Sequence, residues 1–159
     1  MLLAVLTISD RCSQGLMADT AGPAVVAVLR ERWPQAEVQT GLLPDEEDAI
    51  VAELNRLSSE GAALVLTVGG TGLGPRDRTP EATRRVLDRE APGLAEAMRA
   101  QGAAVNPYAW LSRAVAGLKG STLIVNLPGS KRGAEESLTS ILALIKHAIE
   151  VAAGSQTHP

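Results

Sequence analysis

Apolar residues follow two patterns that alternate along the chain. Nearly continuous apolar runs are typical of strands buried on both faces of a sheet, and a weak alternation is typical of a half-buried strand. These patterns predict strands at 2–8, 36–43, 62–68 and 121–127. Elsewhere, apolar residues recur every three or four positions, which is the spacing of one helix face. This spacing predicts helices that begin within 19–23 and 44–48 and helices that cover 80–89, 92–101 and 132–152.

Two segments between these elements have no such period. Residues 9–15 are polar and predict a loop, whereas residues 106–113 fit either a short helix or a loop followed by a strand. Strands that alternate with helices imply right-handed βαβ units and a parallel sheet covered by helices on both faces. The sequence therefore predicts an α/β fold.

Polar segments follow all four predicted strands. They contain Asp10, Asp45, the glycine-rich stretch 69–77 and the stretch 128–130. In parallel sheets, ligands bind at the carboxyl ends of the strands. Because the four segments converge on one edge of the sheet, we expect the active site there.

Composition and charge narrow the function. The 159 residues fit a single domain, which we place at 1–153 with a flexible tail at 154–159. The chain has no Phe and a net charge of −3, so neither an aromatic stacking platform nor a basic surface for nucleic acid is expected. No apolar run is long enough for a membrane span, and the first residues read as a strand and not as a signal peptide. These features predict a cytoplasmic protein without nucleic-acid or membrane partners.

The stretch 69–77 has the most distinctive pattern. Its four glycines let the backbone reach φ > 0 and approach a ligand closely. Thr79 and Pro80 predict a helix start with the Thr79 hydroxyl as N-cap. Such a loop can bind phosphate, and a tight structural turn is the alternative. Since the Lys of a Walker loop is missing, triphosphate charge would have to be met by backbone amides, a metal ion or arginines such as Arg76.

Two carboxylates are candidate metal ligands. Asp77 would repel phosphate bound to the neighbouring loop unless a cation such as Mg²⁺ lies between them, and the alternative is a salt bridge to Arg76 or Arg78. Asp45 would be near enough to share that metal, but its place before a helix also suits an N-cap. Both alternatives stay open on the residues alone.

Several other side chains are weaker candidates. Ser130 precedes the last helix and could contribute to an anion site or act as a plain N-cap. Asp10 and Asp19 could each bind a polar ligand group or be solvated, and Ser112 and Arg113 could flank the cleft. The two histidines and the single cysteine form no nucleophilic or metal-binding arrangement.

An ordered set of short motifs is similar to one known family. The set comprises Ser9-Asp10, Asp19, Gly22-Pro23, Pro44-Asp45-Glu46, Gly69-Gly70-Thr71-Gly72, Pro75-Arg76-Asp77, Thr79-Pro80-Glu81-Ala82, Leu111-Ser112-Arg113 and Leu127-Pro128-Gly129-Ser130. In this order the motifs resemble the MogA/MoaB family of molybdenum-cofactor biosynthesis, which includes the G domain of gephyrin. The resemblance covers nearly the whole chain.

The resemblance implies a three-layer α/β/α sandwich with a mostly parallel central sheet, assembled as a homotrimer. It also implies that the protein binds molybdopterin, a pterin dithiolene monophosphate, and transfers AMP to it from Mg-ATP with release of pyrophosphate. A transient contact with a molybdate-insertion protein would follow from the same pathway. Two alternatives remain open: a MoaB-like molybdopterin carrier without transferase activity, and a trimeric scaffold.

The family's functional positions fall within the same motifs. Its two catalytic and metal-binding carboxylates correspond to Asp45 and Asp77, which are therefore the expected ligands of Mg²⁺. Together with the residue patterns above, the resemblance gives expected contacts to nucleotide or substrate at Asp10, Gly69, Gly70, Thr71, Gly72, Ser112, Pro128, Gly129 and Ser130.

Overall fold

The computed structural model describes residues 1–155, which form a six-stranded sheet with helices on both faces. The strands are β1 (Leu2–Ile8), β2 (Glu37–Leu43), β3 (Leu64–Val68), β4 (Arg89–Glu90), β5 (Ala116–Lys119) and β6 (Thr122–Leu127). The helices are α1 (Asp10–Ser13), α2 (Ala21–Arg32), α3 (Glu47–Ser59), α4 (Thr79–Val86), α5 (Pro92–Ala103) and α6 (Lys131–Ala152), with a 3₁₀ helix at Pro107–Leu111. The sequence predicts a flexible tail at 154–159. Residues 156–159 of that tail lie outside the described residues. No helix within 1–155 is both long and apolar enough to cross a membrane.

Four parallel strands form one side of the sheet, in the order β2-β1-β3-β6 from the edge inwards. Successive side chains of a strand point to opposite faces. Leu3 and Val5 of β1 accordingly pack in the layer that contains α2, α5 and α6. Ala4 and Leu6 pack in the layer that contains α3 and α4. The three-layer α/β/α sandwich with a mostly parallel sheet is thus confirmed.

The sheet also has an antiparallel edge, which the sequence patterns did not predict. β5 and β6 form a hairpin that turns through Gly120, whose φ is 57°, and β4 pairs antiparallel with β5. The predicted helix at 80–89 was therefore wrong at its end, because α4 stops at Val86 and 89–90 is a strand. Strands of two and four residues are too short for an apolar pattern to reveal.

The two segments without a clear period both contain short helices. The loop prediction for 9–15 was wrong at α1, where the Ser9 hydroxyl accepts a hydrogen bond from the Cys12 N–H (3.2 Å) and caps a single turn. For 106–113 the short-helix alternative is confirmed by the 3₁₀ helix. Its first turn is capped by the Asn106 side chain, which accepts from the Tyr108 N–H (3.1 Å).

A buried polar network fixes α4 against the sheet. The Asn126 side chain on β6 donates hydrogen bonds of 2.9 Å to the hydroxyls of Thr67 on β3 and Thr83 on α4. Its Oδ1 accepts from the Val115 N–H (3.0 Å), and all three polar side chains are buried. Since a buried polar group is stable only when it is hydrogen-bonded, this network orients α4 and the loop that precedes it.

Candidate active site

The loops that follow the four parallel strands meet at one edge of the sheet, as the sequence predicts. A Cβ on Gly69 would lie 2.3 Å from the carbonyl oxygen of Ile8, at the end of β1. A Cβ on Gly129 would lie 3.2 Å from the Cα of Gly69. The loops after β1, β3 and β6 therefore touch backbone to backbone, which excludes a side chain at 69 and leaves little room for one at 129.

Asp10 and Asp45 connect the loops after β1 and β2 through two reciprocal hydrogen bonds. The Asp10 N–H donates to Asp45 Oδ2 (2.9 Å), and the Asp45 N–H donates to Asp10 Oδ1 (3.0 Å). Arg76 donates to both carboxylate oxygens of Asp10 (3.0 and 3.1 Å) and to Glu46 Oε1 (2.7 Å). This polar cluster connects the loops after β1, β2 and β3.

The two aspartates of the cluster differ in the direction of their pKa shifts. The Arg76 guanidinium and the Asp45 N–H lower the pKa of Asp10. Burial raises the pKa of Asp45, and the negative charges of Asp10 and Asp77 raise it as well, against the Asp10 N–H that lowers it. Asp45 and Asp77 are thus close enough to repel each other, and a cation between them would relieve that repulsion.

Asp77 forms no ion pair within residues 1–155. Its Oδ2 accepts a hydrogen bond from the Gly74 N–H (2.7 Å), which closes the end of the glycine-rich loop. Arg76 is paired with Asp10 and Glu46 as described above, and Arg78 pairs with Glu47 (2.7 Å). The salt-bridge alternative for Asp77 was therefore wrong.

Of three possible helix caps, the structure confirms one. The Ser130 hydroxyl accepts from the N–H three residues later (3.2 Å) and caps α6. The Thr79 prediction was wrong, since the N-cap of α4 is Arg78 and the Thr79 hydroxyl has no partner within the described chain. The N-cap alternative for Asp45 was also wrong, because the N-cap of α3 is Glu46 and the Asp45 carboxylate bonds across to the first loop.

Arg113 organises the glycine-rich loop, a role that the sequence patterns did not predict. Its N–H donates to the Thr71 carbonyl (2.9 Å), and its Nε donates to the Gly72 carbonyl (2.7 Å). The guanidinium also bonds to the Asp77 carbonyl and to the Glu81 carboxylate. The residue belongs to the Leu-Ser-Arg motif, but its partners are about 30 to 40 residues away in sequence, so no local signal reveals them.

Two cavities flank the glycine-rich loop. The first, which we name the arginine cavity, has a volume of about 440 Å³ and lies against α5 and the 3₁₀ helix. Its charged lining residues are Asp77, Arg99 and Glu136, so Arg99 is the one cationic side chain among the described lining residues. Met98 and Tyr108 contribute apolar and aromatic surface.

The second, which we name the acidic cavity, has a volume of about 860 Å³ and lies against the loop between β1 and α2. Four aspartates line this cavity, namely Asp10, Asp19, Asp45 and Asp77. Arg11 is the one basic residue among its described lining residues. Both cavities are lined by Gly70, Asp77, Gly129 and Ser130, so they meet at these residues.

The predicted site residues are divided between the two cavities. Those that line only the arginine cavity are Thr71, Gly72, Ser112 and Pro128. Those that line only the acidic cavity are Asp10, Asp45 and Gly69. Arg99 was missed, because a single arginine on an amphipathic helix carries no motif. Which substrate or metal ion each of these residues contacts is still a prediction.

The donor set fits a cation that is shared with a ligand. Within the part of the chain that the structure describes, no group of three or more His, Cys, Asp or Glu side chains could hold a metal ion. Asp45 and Asp77 remain as a pair of mutually repelling carboxylates. Mg²⁺ takes one or two carboxylates and completes its shell with waters and substrate phosphates, so the pair suits Mg²⁺ bound together with a nucleotide.

A cleft at the carboxyl ends of parallel strands defines the molecule as a ligand-binding α/β domain. Residues 4–147 match the protein family described as "Probable molybdopterin binding domain". The chain belongs to this family, as its motifs predict.

Individual relatives agree with this assignment. The chain is 37% identical over 155 residues to the molybdopterin adenylyltransferase of Helicobacter pylori strain J99, covering 96% of this chain and 88% of that protein. It is 42% identical over 148 residues to the molybdenum cofactor synthesis protein cinnamon of Drosophila melanogaster, covering 92% of this chain but only 25% of that longer protein. The crystal structure of the molybdopterin biosynthesis enzyme MoaB from Thermus thermophilus is similar with a TM-score of 0.90 and 49% identity, covering 97% of each chain.

Proposed function

We propose that this chain is a molybdopterin adenylyltransferase, which transfers AMP from Mg-ATP to the terminal phosphate of molybdopterin and releases pyrophosphate. The observation that carries the proposal is the meeting of two cavities of different chemistry at Gly70, Asp77, Gly129 and Ser130. Transfer between two bound substrates requires adjacent sites that bring the reacting atoms together. The name of the Helicobacter pylori relative supports the same activity.

The acidic cavity is the proposed site of Mg-ATP. The carboxylate of Asp10 is engaged by Arg76, and that of Asp19 accepts bonds from the N–H of Gly22 (2.9 Å) and from a threonine hydroxyl (2.6 Å). Asp45 and Asp77 are therefore the lining carboxylates with an oxygen to offer to a cation. They would repel a bare triphosphate, so we infer that nucleotide enters with Mg²⁺.

The arginine cavity is the proposed site of molybdopterin. The Nη1 of Arg99 donates to the carbonyls of Ser112 (3.2 Å) and Ala114 (3.1 Å), which fixes the guanidinium and leaves further N–H groups for the anionic phosphate. Tyr108 and Met98 give the pterin ring an aromatic and a polarisable contact. The dithiolene and phosphate arm would then point to the boundary between the cavities.

The reaction needs no nucleophilic side chain. An oxygen of the molybdopterin phosphate forms a bond to the α-phosphorus of ATP, and the bond from that phosphorus to the bridging oxygen breaks, so that pyrophosphate leaves with the electron pair. The phosphate monoester is largely deprotonated near pH 7, and no proton has to be removed. Mg²⁺, when bound, would neutralise the charge that develops on pyrophosphate. The chain's own contribution is to hold Asp45, Asp77 and the loop amides in place around the reacting phosphates.

We also propose the assembly and setting that the family resemblance implies: a cytoplasmic homotrimer that passes its product to a molybdate-insertion protein through a transient contact. Three large apolar side chains close together in sequence are more than half exposed and are not among the proposed pterin contacts, namely Val105, Trp110 and Leu111. Such a patch fits a face covered by a second copy of the chain. Light scattering after gel filtration would measure the mass, and a monomer would contradict the trimer.

Pyrophosphate release measured in the presence of ATP, Mg²⁺ and molybdopterin tests the proposed activity. We expect release by the wild type and a loss of at least about 100-fold in Asp77→Asn, because a neutral amide holds a cation poorly. Asp48→Asn is the matched control, since the Asp48 side chain is 91% exposed and lines neither cavity. It should release pyrophosphate at the wild-type rate.

The outcomes separate the alternatives. Molybdopterin binding by the wild type without release of pyrophosphate would leave the carrier function. Undiminished turnover in Asp77→Asn would remove the proposed role of that carboxylate in binding Mg²⁺. If Asp48→Asn lost activity as well, the effect would reflect net charge and not the site.

A further inference from the structure

Thr79 carries a buried hydroxyl that the fold leaves without a partner. The residue is 0% exposed, and within residues 1–155 its Oγ1 has no hydrogen bond. Its backbone is fully engaged: the N–H donates to the Gly70 carbonyl (3.2 Å), and the carbonyl accepts from the Thr83 hydroxyl (2.8 Å). Since α4 takes Arg78 as its N-cap, capping does not account for the hydroxyl either.

The hydroxyl faces the same small space as one oxygen of Asp45. A Cβ placed on Gly70 would lie 2.3 Å from Thr79 Oγ1 and 2.9 Å from Asp45 Oδ1. The two oxygens therefore converge beside the Cα of Gly70, at a point that any other residue would fill. Asp45 Oδ2 accepts from the Asp10 N–H, so Oδ1 is the oxygen that lacks a hydrogen-bond donor among the described residues.

We propose that Thr79 is a positioning residue for the cation site: its hydroxyl donates a hydrogen bond to Asp45 Oδ1 and fixes the orientation of that carboxylate towards the cation. The terminal torsion of an aspartate is broad, so the bond requires rotation of the carboxylate and of the hydroxyl and not a shift of the backbone. The bond gives the buried donor its partner. It also explains why position 70 must lack a side chain, in addition to its φ of 64°.

The inference rests on the proposed function, because it takes Asp45 as a ligand of the cation. A group that orients a metal-binding carboxylate through a hydrogen bond typically contributes roughly 10- to 100-fold to metal affinity. Thr79 would do so without touching the cation or either substrate. Its effect must therefore appear in cation affinity and not in the stability of the fold.

The test compares Thr79→Val, which keeps the shape of the side chain but removes the hydroxyl, with Thr79→Ser, which keeps the hydroxyl. Mn²⁺ serves as the probe, with adenosine 5′-(α,β-methylene)triphosphate as a nucleotide that cannot transfer AMP, and electron paramagnetic resonance measures protein-bound Mn²⁺. We expect Thr79→Val to bind the Mn²⁺ complex about 10- to 100-fold more weakly and Thr79→Ser to bind it almost as the wild type does. The urea midpoint of Thr79→Val should stay close to that of the wild type, because the shape of the side chain is kept and only one hydrogen bond is lost.

Asp45→Asn distinguishes failure of this inference from failure of the proposed cation site. If Asp45→Asn weakens Mn²⁺ binding and Thr79→Val does not, Thr79 has no positioning role and the cation site stands. If Asp45→Asn leaves Mn²⁺ binding unchanged, the cation site is wrong and the role of Thr79 falls with it. In the double variant Asp45→Asn/Thr79→Val, the inference requires no loss beyond that of Asp45→Asn alone.

Discussion

Replacing Arg113 by Met should loosen the glycine-rich loop and destabilise the whole fold. The guanidinium bonds to the Gly72 carbonyl at 2.7 Å, to the Asp77 carbonyl and to the Glu81 carboxylate. Met fills a similar volume but donates no hydrogen bond. Glu81 would then be left as a partly buried carboxylate whose Oε2 already lacks a partner among the described residues.

The size of the effect follows from these contacts. A hydrogen bond to a charged group contributes about 1.5–3 kcal/mol. The Arg113 and Glu81 side chains are 33% and 28% exposed, so solvent screens the pair and the low end of the range applies. Loss of the carbonyl contacts and of the partner of Glu81 should together cost about 3 kcal/mol in the free energy of unfolding, which corresponds to a fall in Tm of roughly 6–12 °C for a chain of this size.

Urea unfolding followed by circular dichroism measures this change. Arg113→Lys keeps the positive charge but loses the planar, multiply donating guanidinium. Its free energy of unfolding should therefore lie between that of Arg113→Met and that of the wild type. The double variant Arg113→Met/Glu81→Gln should recover about 1–2 kcal/mol relative to Arg113→Met, because no uncompensated carboxylate remains. A free energy of unfolding for Arg113→Met within about 0.5 kcal/mol of the wild-type value would refute the reasoning.

Two further changes test other contacts. Ser130→Ala removes the cap of α6 and should cost about 1 kcal/mol in urea unfolding, and an unchanged midpoint would contradict the capping role. The Gly120 N–H and the Lys119 ammonium lower the pKa of Asp88, so the ionised carboxylate stabilises the fold above its unfolded pKa of about 4 and this contribution is lost as the pH falls through the lower, folded pKa. Asp88→Asn should therefore be less stable than the wild type at about pH 7, and the difference should shrink by about pH 3; a constant difference in the urea midpoint would contradict it.

The central sheet could be predicted from the sequence because its strands carry a strong and local signal. β1, β3 and β6 are buried along nearly their whole length, so their residues form continuous apolar runs. β4 and β5 could not be predicted in this way. They are short, lie at the edge of the sheet and depend on pairing with β6 and on the turn at Gly120, which is tertiary information.

The position of the site was predictable, but the duties of its side chains were not. Convergence of loops follows from strand order and direction, which the alternation of elements implies. The sequence was consistent with an N-cap role for both Asp45 and Thr79, because a hydroxyl or carboxylate at a helix start usually accepts a hydrogen bond from a nearby backbone N–H. The structure instead turns both side chains towards Gly70, and only the folded backbone brings residues 45, 70 and 79 together.

The three arginines that contact or adjoin the glycine-rich loop are already paired with carboxylates: Arg76 with Asp10 and Glu46, Arg78 with Glu47, and Arg113 with Glu81. A triphosphate at this loop could recruit one of them only by breaking an ion pair and leaving a carboxylate beside its own negative charge. The sequence left three groups that could neutralise the triphosphate: backbone amides, a metal ion and arginines. Because the arginines are already paired, they are the least suitable of the three. Backbone amides and a cation remain, and the Gly74 amide is taken by Asp77. We therefore expect nucleotide binding at this loop to depend more on the divalent cation than on Arg76, Arg78 or Arg113.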